Sequence, residues 1–253
     1  MRFLAIIPAR YASTRFPGKP LADIGGKTMI RRVYERATQA FEYVYVATDN
    51  QEIYNEVVKY GGKALMTSPH HINGTSRVLE AMYKAEEECG VECKFVINVQ
   101  GDEPFIEPEQ LLELSRCFDD VENDQPQIAT LVKLIEDREE IFNPNSPKVV
   151  FDSRMNALYF SRSPIPYIRD IAKESWPGNF KFYKHIGLYG YRRDILIKVC
   201  SMAPGRLEGA ENLEQLRWLE NCIRIRVAET KFKSYSVDTP QDLEQLRISG
   251  VLI

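Results

Sequence analysis

The sequence predicts an α/β fold, Rossmann-like, with a mixed, mostly parallel sheet flanked by helices. Three observations carry the prediction. Short β-rich runs alternate with helical patterns through the first half of the chain. The first run, Phe3–Ile7, is apolar without interruption, as a strand covered on both faces requires. A strand–helix alternation implies right-handed crossovers between parallel strands.

Taken in order, the apolar spacing predicts a helix over about Thr28 to Ala40, then a Val- and Tyr-rich strand at Tyr43–Ala47. Asp49 and Glu52 form a capping-box pattern before a helix through Val57 and Val58, which Gly61-Gly62 stops. Ala64–Met66 is a short strand. Thr75 to Glu88 is a helix with Val78, Leu79, Met82 and Ala85 on one side, and Phe95–Val99 is a buried strand. The second half is less regular. Strands are expected at Ile128–Ile135, Val149–Phe151, Ala157–Phe160, His185–Tyr191, Cys222–Ala228 and Ser234–Val237. Helices are expected near Asp194–Met202 and Glu208–Leu219, and from Thr239-Pro240, where Thr caps, Pro fits the first turn and Asp242 completes a capping box. Ser163 to Lys181, with three prolines, reads as a long loop. Without a repeat or flexible linker, the chain reads as one domain over 1–253. Its irregular segment, about 143–192, is suited to pairing two subunits.

Composition narrows the function. The chain has 33 Lys plus Arg against 36 Asp plus Glu, a balance that argues against a general nucleic-acid binder, which needs a basic face. The apolar stretch at the N-terminus is too short for a signal peptide or membrane span, so the expectation is a cytoplasmic protein. Five scattered cysteines suggest reduced thiols rather than a disulfide framework.

In parallel α/β sheets, ligands bind beyond the carboxyl ends of the strands, so residues following Ile7, Ala47 and Val99 are expected at one edge. The segment after the first strand, PARYASTRFPGKPL, holds Arg10, Arg15 and Lys19, the hydroxyls of Ser13 and Thr14, and the turn Pro17-Gly18. A nucleoside triphosphate carries about four negative charges, which fixed cations, hydroxyls and free N–H groups match. Gly25-Gly26-Lys27-Thr28 ends like a Walker A loop, but the glycine that motif needs five positions earlier is Leu21. Gly25-Gly26 therefore reads as a turn. In Gln100-Gly-Asp-Glu-Pro104, Asp102 follows a strand. Asp238, in Val237-Asp-Thr-Pro240, follows another. Carboxylates joined by triphosphate oxygens are the usual Mg²⁺ shell, although helix capping explains Asp238 equally well. Arg77 opens a helix whose N-terminus favours anions. His185, Gly187, Tyr189 and Tyr191 share a strand face by the two-residue period, and Glu208, Glu211 and Gln215 fall on one helical stripe. His70 and His71, without a third ligand nearby, read as surface residues.

Together these segments resemble the 3-deoxy-manno-octulosonate (Kdo) cytidylyltransferases. The matching stretches are IIPARYASTRFPGKPL, VATD (46–49), GTSR (74–77), INVQGDEP (97–104), ATLV (129–132), FNPNSPKVV (142–150), ALYFSRSPIP (157–166), HIGLYGYR (185–192), LEQLR (213–217) and VDTPQDLE (237–244). They span nearly the whole chain, and ARYASTRFPGK fits the Kdo branch rather than the sialic acid enzymes. The resemblance implies a nucleotide-diphospho-sugar transferase-like fold, CTP and Kdo as substrates, Mg²⁺, a homodimer, and a place in lipopolysaccharide synthesis. By motif, Arg10, Ser13, Thr14, Arg15, Lys19, Arg77 and Gln100 would bind CTP, and Asp102 and Asp238 would bind Mg²⁺. Catalysis would rest on Lys19, Arg10, Asp102 and Asp238. Arg162, His185, Tyr189, Glu211 and Gln215 would line the sugar pocket. Gly209-Ala210 departs from the bulkier residues common there. The group that activates the sugar hydroxyl stays open among a second metal, His185 and a carboxylate. Two rivals remain: a nucleotidyltransferase using another nucleotide or a sugar phosphate, and a nucleotide-binding regulatory module. An amino-substituted Kdo is an alternative acceptor.

Overall fold

The computed structural model describes residues 2–12, 15–119 and 126–248. Its strands are β1 (Phe3–Ala9), β2 (Tyr43–Thr48), β3 (Ala64–Met66), β4 (Phe95–Asn98), β5 (Ile128–Leu134), β6 (Lys148–Phe151), β7 (Ala157–Ser161), β8 (Tyr183–Arg192) and β9 (Ile225–Glu229). Its helices are α1 (Met29–Ala40), α2 (Gln51–Lys59), α3 (Gly74–Cys89), α4 (Pro108–Arg116), α5 (Arg138–Phe142), α6 (Trp176–Asn179), α7 (Arg193–Cys200), α8 (Arg206–Glu211), α9 (Gln215–Glu220) and α10 (Pro240–Ile248). Contacts group the chain into two compact units, Met1–Leu112 with Lys233–Ile253, and Glu113–Phe232.

In the first unit, four strands run parallel in the order β3-β2-β1-β4. Leu4 to Ile7 are fully buried, as their apolar run requires. Helix α1 buries Met29, Ile30, Val33 and Ala37, one stripe at helical spacing. The Gly25-Gly26 turn has positive φ at both residues. Arg32 fastens it to α1 by donating to the carbonyls of Ile24 and Gly25, so the segment is the expected turn. A Cβ on Gly101 would lie 2.7 Å from the Pro8 carbonyl oxygen, so only glycine lets the segment after β4 approach the end of β1 this closely. The C-terminal segment packs into the same unit. Val237, Leu243 and Leu246 bury against Ile24, Met29 and Phe105. Thr239 and Asp242 form the expected reciprocal cap at the start of α10, each accepting from the other's backbone N–H.

In the second unit, β5 lies between antiparallel β8 and parallel β9, and β6 pairs antiparallel with both β7 and β8. The β5–β8 register shifts between Thr130 and Leu131, and the Thr130 hydroxyl lies 3.0 and 2.8 Å from the carbonyls of Ile186 and Leu188 at that irregularity. The shift leaves His185, Tyr189 and Tyr191 on one face, as the two-residue period predicts, with the Tyr189 ring centroid 5.3 Å from that of His185 and 6.0 Å from that of Tyr191.

Several expectations need correction. The N-cap of α2 is Asn50, whose side chain accepts from the N–H groups of Glu52 and Ile53, while Asp49 turns to Arg77 instead. The helix expected over Glu208–Leu219 is two short helices, broken where Asn212 takes a left-handed conformation at φ 50°. Glu208 leaves the proposed stripe to pair with Arg217. Ser234–Val237 is not a strand. Within Ser163 to Lys181, read as loop, Trp176 starts the short α6. Its ring is buried with Phe182, Ile135 and Ile141, and its indole N–H donates to the Ile171 carbonyl.

Candidate active site

The first unit holds a cavity of about 380 Å³ beyond the carboxyl ends of β1 and β4. Pro8, Ala9, Arg10, Arg15, Lys19, residues 71–74, Arg77, Gln100, Gly101, Asp102 and Asp238 line it. Every candidate phosphate, base and metal residue among the described residues is therefore gathered in one place. Ser13 and Thr14 lie outside the described residues.

Lys19 sits at the centre of the charged groups. Gly18, at φ 70°, turns the chain back and donates its N–H to the Tyr11 carbonyl at 3.0 Å, and Lys19 begins the 3-10 turn that follows. Its ammonium donates to Asp102 Oδ2 at 2.8 Å and to Asp238 Oδ1 at 3.3 Å, with the side chain only 13% exposed. Arg15 donates to the same Asp238 oxygen at 3.0 Å from a largely exposed position. The two aspartates are far apart in sequence. One backbone bond joins their segments: Val237 donates its N–H to the Asp102 carbonyl at 2.9 Å. The carboxylates of Asp102 and Asp238 balance the charges of Lys19 and Arg15, while exposed Arg10 adds a further positive charge to the lining.

This donor set suits a hard divalent cation. Two carboxylates already converge on one positive centre, the Lys19 ammonium, and both are partly exposed lining residues of the cavity. Among the described residues no group of three or more His, Cys, Asp or Glu forms a self-sufficient metal site. Two carboxylates with the remaining ligands left to phosphate and water is the pattern of Mg²⁺ sites built around a nucleotide.

Arg77 is 4% exposed in the first turns of α3. Its guanidinium donates to Asp49 Oδ2 at 2.7 Å and Thr67 Oγ1 at 2.6 Å, so the end of β2 and the residue after β3 fix it against the cavity wall. Gln100, half-buried, lines the cavity beside Gly101. The sequence reading missed Asp49, Thr67 and His71. His71, taken there as a surface residue, is a lining residue with its side chain 15% exposed. Its ring nitrogens lie 3.1 Å from Ser76 Oγ and 2.5 Å from Glu80 Oε2. The available signal was position: His71 stands two residues before Asn73, the N-cap of α3, at the edge where ligands bind.

The five candidate sugar residues all belong to the second unit. Glu211 accepts from the Ser161 hydroxyl at 2.6 Å and the Arg162 backbone N–H at 2.9 Å. The Arg162 guanidinium donates to the carbonyls of Glu211, Pro144 and Asn212, tying three segments together. His185 lies against Phe160 and Tyr189, with ring centroids 5.1 and 5.3 Å apart. Burial pushes its imidazole down to about 3, so the ring is neutral at ordinary pH, with Nε2 3.1 Å from Thr130 Oγ1. The Tyr189 hydroxyl and Gln215 Nε2 are buried without a hydrogen-bond partner among the described residues. Burial holds the Tyr189 phenol well above its ordinary range. Buried polar atoms left unpaired cost stability unless a ligand completes them.

Comparison with known proteins places this arrangement. A cytidylyltransferase family model matches residues 4–225. The 3-deoxy-manno-octulosonate cytidylyltransferase of Phocaeicola vulgatus is 52% identical, covering 96% of this chain and 95% of the relative. That of Parabacteroides distasonis is 50% identical, covering 97% and 96%. A solved structure of CMP:2-keto-3-deoxy-manno-octonic acid synthetase complexed with CTP superposes with a TM-score of 0.89 at 42% identity, over 99% of both chains. A 4-diphosphocytidyl-2C-methyl-D-erythritol synthase from Anaerococcus prevotii, 10% identical, shares the fold alone, with a TM-score of 0.59 over 98% of both chains. The fold class and family read from the motifs are both borne out. The chain belongs to the cytidylyltransferase family and, within it, to the 3-deoxy-manno-octulosonate cytidylyltransferases, which are nucleotidyltransferases.

Proposed function

We propose that the protein transfers CMP from CTP to Kdo, releasing pyrophosphate, in the supply of activated sugar for lipopolysaccharide. The observation that carries the reading is the Lys19 ammonium held between Asp102 and Asp238 in a cavity whose remaining walls suit a nucleotide. Membership of the family supports the choice of CTP and Kdo.

In the reaction the anomeric hydroxyl oxygen of Kdo forms a bond to the α-phosphorus of CTP. The bond from that phosphorus to the oxygen bridging to the β-phosphate breaks, and the hydroxyl proton is lost. Both substrates are anionic, so charge is the first obstacle. Arg10, Arg15 and Lys19 offset the triphosphate charge, and Lys19 and Arg15 stabilise departing pyrophosphate. Asp102 and Asp238, the carboxylates that face Lys19 and Arg15, would hold Mg²⁺. The ion, when bound, supplies charge neutralisation at the phosphates that no side chain matches. Gln100 and Arg77 border the remainder of the nucleotide. In the second unit, the unpaired Tyr189 hydroxyl and Gln215 amide offer hydrogen bonds to sugar hydroxyls, and Arg162 with Glu211 frames that pocket. His185 serves there as a neutral hydrogen-bonding ring, because its depressed basicity suits it poorly to take the hydroxyl proton.

Among the described residues no helix is long and apolar enough to cross a membrane. We take the working form to be a homodimer. Light scattering at assay concentration tests this. The function itself is tested by pyrophosphate release with each nucleoside triphosphate, Mg²⁺ and a panel of acidic sugars. Release with CTP and Kdo, with CMP-Kdo as product, is the expected outcome. CTP binding without release would overturn it.

A further inference from the structure

The wall of the cavity formed by residues 71–74 belongs to a loop that leaves β3 and enters α3. Both ends of that loop are anchored. Thr67 donates its backbone N–H and its hydroxyl to the Thr48 carbonyl, and Asn73 caps α3 by accepting from the Ser76 N–H at 2.9 Å. Between the anchors, the Glu80 side chain in the body of α3 holds the loop, with Ser76 in its first turn meeting His71. Glu80 Oε2 accepts the Ser68 backbone N–H at 3.0 Å and meets His71 Nε2 at 2.5 Å. Glu80 Oε1 pairs with Lys84 at 2.8 Å, and Lys84 also donates to the Met66 carbonyl.

Glu80 does not line the cavity, whereas His71 does. Both nitrogens of the His71 ring are engaged, by Ser76 and Glu80. What His71 offers the cavity is therefore a ring of fixed orientation, able to pack against a nucleoside, rather than a free donor. Burial alone would raise the Glu80 carboxyl, but the bonds from Lys84, Ser68 and His71 outweigh it and bring it down to about 2, so the clamp is anionic throughout the working range.

We infer that Glu80 is a positioning residue for the nucleotide: through Ser68 and His71 it clamps the loop that closes one wall of the cavity around CTP, without touching CTP itself. The inference rests on the reading that CTP occupies this cavity, and it adds a determinant of affinity that lies behind the wall.

The test is equilibrium CTP binding, by calorimetry, to the wild type, Glu80→Gln, His71→Phe and the double variant. Glu80→Gln keeps the size of the side chain but removes the charge shared by three donors. His71→Phe keeps the ring surface but cannot reach the carboxylate. Each single variant is expected to bind CTP about tenfold more weakly, the loss from one hydrogen bond to a charged group. The double variant is expected to bind no more weakly than Glu80→Gln, because loss of the carboxylate already releases both Ser68 and His71. In turnover, KM for CTP rises in Glu80→Gln by the same factor, while kcat changes by less than twofold. A side chain that only stabilised the helix would lower Tm and leave the affinity unchanged. CTP affinity within twofold of wild type in either single variant overturns the inference, as does additivity in the double variant. If Glu80→Gln does not fold, Glu80→Asp, which keeps the charge but shortens the reach to Ser68 and His71, takes its place in the same comparison. Failure of the wild type to bind CTP would count against the proposed function instead.

Discussion

Lys19→Met separates two roles that the geometry gives to one ammonium group. In the free protein Lys19 is the resident cation of the Asp102–Asp238 pair, at 2.8 and 3.3 Å. The shorter contact, to an aspartate 29% exposed, has the geometry of a charge-assisted bond worth about 1.5–3 kcal/mol. The longer one goes to a carboxylate 37% exposed and is discounted to less than about 1 kcal/mol for solvent screening. A divalent cation entering without nucleotide must displace these bonds. Methionine has nearly the same length and no charge, so removing the competitor should tighten divalent binding in the absence of nucleotide by about 10- to 100-fold. The same change removes a stabiliser of developing phosphate charge, so turnover should fall by about two to three orders of magnitude. Mn²⁺ titration followed by electron paramagnetic resonance reads the first effect, and pyrophosphate release reads the second. Unchanged or weaker Mn²⁺ binding, or turnover within threefold of wild type, would refute the reasoning.

Two further changes probe the supports of the site. Asp49→Asn leaves the buried Arg77 guanidinium without its counter-charge. It should cost about 2–3 kcal/mol in urea unfolding, at or below the low end for a broken buried pair because Asp49 keeps some exposure, and should weaken CTP binding. His185 governs an acid-side stability slope. Its folded value, about 3, lies below the ordinary 6.5, so the unfolded chain takes the proton first as pH falls. Its contribution is intact above pH 6.5 and is lost progressively toward pH 3. Between pH 7 and 4 the wild type should lose roughly 3 kcal/mol more than His185→Gln, with losses from carboxylates such as Asp242 common to both proteins. Parallel slopes would show that the ring is not held neutral.

Much of the site was legible because local rules place it. An apolar strand followed by a cationic turn puts Lys19 at the ligand edge, and the Thr239–Asp242 cap places Asp238 just before α10. Partners distant in sequence were not legible. Asp49 looked like a helix cap because its neighbour Asn50 offers the same chemistry one residue later, and only the fold brings Arg77 within 2.7 Å. Residues 234–237 carry a strand-like composition, yet Val237 spends its N–H on the Asp102 carbonyl, a bond that no local pattern announces. The break at Asn212 was hidden for a similar reason. Continuous helical spacing from Glu208 to Leu219 is a fair local reading, but Glu208 pairs with buried Arg217 across two helices rather than along one. His71 was set aside for want of metal partners, whereas its role follows from a carboxylate one helix away.

A crystal structure of the protein with CTP and Mg²⁺ tests the central claim most directly. The account predicts triphosphate oxygens within hydrogen-bonding distance of Lys19 Nζ and Arg10, with the ion held by Asp102 and Asp238. A nucleotide bound elsewhere, with Lys19 still locked between the two aspartates, would contradict it.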